Sequence, residues 1–260
     1  MLLALDIGNT ETTVGLFAGE RLEGHWRLHT TPERTPDEWA AALTAHLTQA
    51  GHSTQEVKAA IVASVAPHVT QSLCSGIAAA TTRQPVLVDA GSRLPIVLDV
   101  DEPLTVGADR IVNTLAASQL FHRDTIVVDF GTATTFDCIT GNRFIGGVIM
   151  PGLRTASEDL VRKTAKLPAT ELTPPAHAIG RRTEDCIRAG VLWGTAEAVD
   201  GLVRRIKAEW PPPKGQQPQT IATGGLAPLV APLCKEIESV HPDLTLIGLR
   251  IAAGALGLEW

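Results

Sequence analysis

The chain has 260 residues, 44% hydrophobic and 19% charged, enough for one large domain or two of about 120 to 140 residues, and too apolar to be disordered. A formal net charge of −6 gives no electrostatic reason to expect nucleic acid or an anionic membrane as partner, although a nucleotide held by backbone N–H groups stays compatible. No stretch reaches the roughly 18 apolar residues of a membrane span, and Cys74, Cys138, Cys186 and Cys234 lack the C-x-x-C spacing of a zinc or redox site, so we read a reduced, soluble, cytoplasmic protein.

Short strand-like runs alternate with longer helical ones. Residues 2–5 read as a buried strand, followed by "TTVGLF" and "GHWRLHT" as hairpin partners with Gly19 near a turn. Thr35-Pro36 opens a helix in which Trp39, Leu43 and Leu47 recur at i, i+4, i+8 and Gly51 is the stop. "AAIVASV" is a strand, "PHVTQSLCSGIAAA" a helix, "PVLVDA" a strand, and "DRIVNTLAASQLF" a helix after Gly107. "TIVVDF", "TTFDCI" and "RFIGGVI" form a second group of three strands. Helices are predicted through "GLRTASEDLVRKTA" and from Thr183 to Trp210, where the proline-rich "WPPPKGQQPQ" ends the second. "TIATGG" is a last strand and turn, with helices over "LAPLVAPLCKEIE" and "LRIAAGALGLEW".

The order is therefore β-β-β then α/β, twice over. We expect an α/β protein of duplicated mixed-sheet domains, 1–117 and 118–260, with a small-molecule cleft between the lobes.

The repeat carries chemistry. "LLALDIGNTETTVGLF" near the start and "TIVVDFGTATTFDCI" about 120 residues on share the pattern D-[IF]-G-[NT]-x-x-T, with Gly8 over Gly131 and Thr12 over Thr135 when Asp6 is set over Asp129. A turn of glycine and small hydroxyl residues presents backbone N–H groups without side-chain obstruction, which suits phosphate. An aspartate closing the preceding strand can hold Mg²⁺ directly or through its waters. Two such turns would each cradle one end of the same polyphosphate. The glycine pair in "ATGG" at 222–225 would let a flat ligand such as adenine or ribose approach the backbone.

These two turns and the glycine pair resemble the phosphate and adenosine motifs of the acetate/sugar kinase, Hsp70 and actin superfamily, whose domains are actin-like (ribonuclease H-like). Within it, "DIGNT", "GADR", "DFGTATTFD", "GGVIMPGL", "TAKLP", "IGRRT" and "LTLIGLR" are similar to the motifs of type III pantothenate kinases in order and approximate spacing. The resemblance implies ATP-dependent phosphorylation of pantothenate to 4′-phosphopantothenate, the first step of coenzyme A biosynthesis. It also implies Mg²⁺, a monovalent cation (K⁺ or NH₄⁺), and a homodimer with the pantothenate pocket near the subunit interface.

Residue by residue, the resemblance makes Asp109 the proton acceptor. Gly107, Ala108, Asp109 and Arg110 become the pantothenate-contacting segment, with Thr183 a further substrate contact. Asp6, Ile7, Gly8, Asn9, Thr10, Glu11, Thr12 and Thr13 match the first ATP phosphate loop, Asp6 being the Mg²⁺ candidate. Thr132 matches an ATP contact in the second loop and Asp129 the monovalent cation ligand. The bland alternatives are a helix-start acid for Asp109, a surface ion pair for Arg110 and a threonine N-cap for Thr183. Two positions depart from the family: Val100 stands where a tyrosine is usual, and Arg182 where asparagine is. A kinase of the superfamily acting on another small hydroxyl compound, and a non-catalytic nucleotide-binding regulatory protein, are the rival readings.

Overall fold

The computed structural model describes residues 1–211 and 217–260; the middle of the proline-rich stretch read as a helix-ending loop lies outside them. In the first half, β1 (Leu2–Ile7), β2 (Glu11–Ala18) and β3 (Arg21–His29) form an antiparallel meander turning at Gly19, whose φ of +58° favours glycine. Helix α1 (Pro36–Gln49) starts in a capping box between Thr35 and Glu38 and buries Trp39, Leu43 and Leu47, the stripe its periodicity predicts. After it come β4 (Ala59–Ser64), α2 (Pro67–Thr81), β5 (Val86–Val88), a two-residue strand β6 (Val97–Leu98) and α3 (Ala108–Phe121). The sheet order β3-β2-β1-β4-β5 places β4 parallel to β1. One face buries Leu3, Leu5 and Ile7 against α1 and α2; Leu2 and Ala4 on the other lie against Ile111 and Leu115 of α3.

The second half repeats the plan. It contains β7 (Thr125–Phe130), β8 (Ala133–Thr140), β9 (Arg143–Pro151), α4 (Leu153–Lys163) and α5 (Thr183–Arg188). A single π turn (Ala189–Trp193) then joins α5 to α6 (Gly194–Glu209), so the long helix from Thr183 forms with a local widening. β10 (Gln219–Thr223) runs parallel to β7, α7 (Ala227–Val230) follows, and β11 (Ser239–Val240) lies parallel to β10.

The helix expected over 226–238 is much shorter. After α7 it tightens into a 3₁₀ turn (Ala231–Leu233) and stops, because Pro232 has no N–H to continue the ladder. The Asp200 carboxylate, itself buried, takes the N–H groups of Lys235 and Glu236 at 2.9–3.0 Å and holds that segment in a bend.

The chain separates into two compact units, Met1–Gln119 with Leu244–Trp260, and Leu120–Asp243. The final helix, α8 (Leu244–Ala255), therefore belongs with the first unit, although chain order had grouped it with the second lobe. Leu249 and Ala252 join the α3 face of the first sheet, Thr245 donates to Asn113 Oδ1 at 2.9 Å, and Gly248 lies so close to α3 that a Cβ there would come within 2.2 Å of the Val112 carbonyl oxygen.

Candidate functional site

In the first unit, β1 delivers Asp6 to the edge of a three-residue turn, 8–10. The Gly8 N–H donates to Glu11 O at 3.1 Å, and a Cβ at Gly8 would sit 2.8 Å from that oxygen, so glycine is required for the turn to close. The Thr30 N–H, just past β3, donates to Thr10 O at 2.9 Å and braces the turn. Asn9, Thr10 and Glu11 are exposed, whereas Thr12 is fully enclosed with its hydroxyl 2.9 Å from that of Thr30. Ile7 pairs with Thr12 and Asp6 with Thr13, so Asp6 and Thr13 share the opposite face from Thr12.

Asp109 lies in the first turn of α3. Its Oδ1 accepts the Arg110 N–H at 2.8 Å and sits where a side chain on Gly107 would be, 2.7 Å from an added Cβ. Burial pushes the Asp109 carboxyl above the usual range, opposed by the Arg110 N–H and guanidinium. Ala108 is a core residue; Gly107 and Arg110 are partly buried. Val65, just past β4, ties the two segments together. Its N–H donates to Ile7 O at 3.0 Å, and its Cγ1 lies 3.5 Å from the Gly107 Cβ position. The phosphate-loop candidate and the proton-acceptor candidate thus meet at one residue that the sequence reading did not single out.

In the second unit, β7 delivers Asp129 to a two-residue turn, 131–132. The Gly131 N–H donates to Ala133 O at 3.0 Å, one residue tighter than in the first unit. Thr132 is exposed, and its carbonyl oxygen accepts the Thr155 hydroxyl at 2.7 Å. Gly152 packs so tightly beneath the turn that a Cβ would lie 2.3 Å from Thr132 O. The Asp129 carboxylate lies over the end of β10. Gly224, at φ +90°, leaves room for it, since a Cβ there would meet Asp129 Oδ1 at 2.3 Å; a Cβ on Gly131 would approach the same oxygen to 3.8 Å. Thr223 pairs with Asp129 from β10, and Thr135 pairs with it from β8. Thr223 is fully buried, and its hydroxyl has no hydrogen-bond partner in the protein.

Thr183 is the first residue of α5 and exposed. The cap position falls on Arg182, whose side chain makes no cap bond, so capping does not account for the threonine. It borders a cavity of about 530 Å³ lined largely by apolar side chains, among them Leu160, Leu167, Ile187 and Val191, together with Cys186 and Thr195. Val100 is half-buried in the first unit ahead of the Pro103–Thr105 turn. No group of three or more His, Cys, Asp or Glu side chains among the described residues could cage a metal ion.

Comparison with known proteins identifies the family. Residues 2–205 match the type III pantothenate kinase family model. A type III pantothenate kinase from Thermomicrobium roseum is 43% identical over 253 residues, 97% of this chain and 96% of that one. Among solved structures, a Campylobacter jejuni protein described as a Baf-family transcriptional activator aligns at a TM-score of 0.61 with 18% identity, covering 97% of each chain. A ROK hexokinase from Thermus thermophilus aligns at 0.50 with 15% identity, over 96% of this chain and 97% of that one. At such identities the two structures speak for the actin-like sugar-kinase fold alone.

Proposed function

This chain belongs to the type III pantothenate kinase family, and we propose that it phosphorylates pantothenate with ATP in coenzyme A biosynthesis, using Asp109 as the proton acceptor. The observation that carries the reading is the seat of Asp109. Its carboxylate is held against Gly107 at the start of α3, and burial raises its pKa, which makes the ionised carboxylate a stronger proton acceptor. As the primary hydroxyl oxygen of pantothenate bonds to the γ-phosphorus, the bond from that phosphorus to the β–γ bridging oxygen breaks and ADP leaves. The hydroxyl proton passes to the Asp109 carboxylate. Gly107 and Ala108 shape the approach, and Arg110 offers a planar guanidinium for the substrate carboxylate or the moving phosphoryl group.

ATP is assigned to the turns. The turn 8–10 is assigned to its phosphates, flanked by Asp6, Ile7, Glu11 and Thr13, while Thr12 props the turn from below through Thr30. Thr132 supplies a contact from the second turn. Asp6 by itself fits Mg²⁺ that keeps waters and phosphate oxygens as its other ligands, a usual arrangement for this ion. Asp129, its Oδ1 seated between two glycines, fits a monovalent cation, which supplies positive charge near the phosphates when bound. Thr183 and the cavity beside it are assigned to pantothenate, the neighbouring Arg182 adding positive charge for its carboxylate.

Four free cysteines support a reducing, cytoplasmic setting, and no helix among the described residues is long and apolar enough to cross a membrane. ADP release measured on the purified protein tests the whole reading. It should depend on pantothenate and rise when K⁺ is present; equal turnover with glucose, glycerol or acetate would overturn it.

A further inference from the structure

Three neighbouring strands put oxygen-bearing side chains in a row at the mouth of the second turn. Thr223 on β10 and Thr135 on β8 are the register partners of Asp129 on β7, and register partners project to the same face of a sheet. Of the three, Thr223 is the one the fold leaves unexplained. It is fully buried, yet its hydroxyl meets no protein acceptor or donor. A buried hydroxyl without a partner is a cost that folding does not recover. The next residue, Gly224, adopts φ +90° and cannot bear a side chain without striking Asp129 Oδ1. The β10 end is thus shaped on one residue to admit the carboxylate and on the preceding one to present an unengaged oxygen beside it.

We propose that Thr223 is a ligand of the monovalent cation assigned to Asp129, and that Gly224 is a positioning residue which lets that carboxylate reach over β10 to share the ion. The inference rests on the reading of Asp129 as a cation ligand. The donor set is oxygen only, one carboxylate oxygen with neutral hydroxyl oxygen, which suits a hard cation of low charge density. Thr223 and Asp129 are neighbours on paired strands, so the ion would be held by the sheet itself and not by a loop. The glycine pair in "ATGG" then has a role beyond ligand approach.

The test is ion binding, read independently of turnover. The native protein, Thr223→Val, Thr223→Ser and Asp129→Asn are melted in Na⁺ and in K⁺ at equal ionic strength, and Tl⁺ binding to each is followed by ²⁰⁵Tl NMR. A cation that binds only the folded state raises Tm with its concentration. The native protein and Thr223→Ser should gain stability in K⁺ and bind Tl⁺. Thr223→Val, nearly isosteric, should melt no lower than the native protein in Na⁺, having lost an unpartnered hydroxyl. It should also lose the K⁺ increment and at least tenfold in Tl⁺ affinity. A Thr223→Val protein with the native increment and affinity, beside an Asp129→Asn protein that has lost both, overturns the Thr223 assignment alone. Native and Asp129→Asn proteins responding alike would overturn the Asp129 reading and with it this one.

Discussion

The two turns that follow Asp6 and Asp129 look like copies in the sequence and are different devices in the fold. Setting Asp6 over Asp129 sets Thr12 over Thr135. The first turn, however, spends three residues between strands and the second only two, so Asp6 pairs with Thr13 while Asp129 pairs with Thr135. A slip of one residue sends a side chain to the other face of a sheet. Thr12 accordingly turns into the protein and pairs with Thr30, whereas Thr135 stays on the carboxylate's face. The first turn is open, with Asn9, Thr10 and Glu11 exposed, as a polyphosphate grip needs. The second is clamped by Gly152 and Thr155. The repeated motif supplies two turns, and a difference of one residue in loop length gives them different geometry.

The largest effect should come from a residue in neither turn. Asp109→Asn preserves shape but cannot accept the proton, so kcat should fall by about 10²- to 10⁴-fold with ATP affinity nearly unchanged, because both turns stay intact. Burial raises this carboxyl, so its contribution to stability is fully present below the ordinary carboxylate pKa and is lost as pH rises through the raised value. The asparagine variant escapes that loss and should melt no lower than the native protein at pH 7. Native kcat should decline as pH falls through the same raised pKa. Single-turnover rates and melting curves across pH measure both; an asparagine variant with near-native kcat would place the base elsewhere.

The two strand-end aspartates should respond to different ions. Asp129→Asn should remove the K⁺ response and leave the Mg²⁺ dependence in place, and Asp6→Asn should weaken Mg²⁺-dependent turnover while sparing the K⁺ response. Losing a group that supports a bound metal typically costs about 10- to 100-fold in affinity, and losing a direct ligand should cost at least as much. Titrating each ion against each variant gives a two-by-two pattern. Both variants losing both responses would mean that the two turns serve one ion site.

The smallest effects should separate the aligned threonines. Thr12→Val strands the buried hydroxyl of Thr30, at a cost of about 1–3 kcal/mol in unfolding free energy, with ion responses intact. Thr135→Val should change stability less and lower K⁺ affinity more. Denaturant melts with and without K⁺ measure both. A K⁺ defect confined to Thr12→Val would reverse the proposed division of labour.

Much of this was legible without a fold. The amphipathic stripe and capping box of α1, the alternation of strands and helices, and the glycine-marked turns after Asp6 and Asp129 are local signals that act within a few residues. So is the placing of Asp109 in the first turn of a helix. What the sequence could not decide depends on partners far along the chain. The one-residue difference in register is set by pairing between strands and shows in no alignment of the two motifs. Gly224 meets Asp129 only because β10 lies beside β7, and α8 returns to the first unit because α3 leaves an apolar face there that a glycine-bearing helix can approach closely. The helix expected over 226–238 fails because a distant buried carboxylate, Asp200, claims N–H groups that a helix would have used, behind a proline that had already broken its ladder. Local propensity specifies the elements, while long-range pairing and close packing choose which face each side chain shows and hence which chemistry it serves.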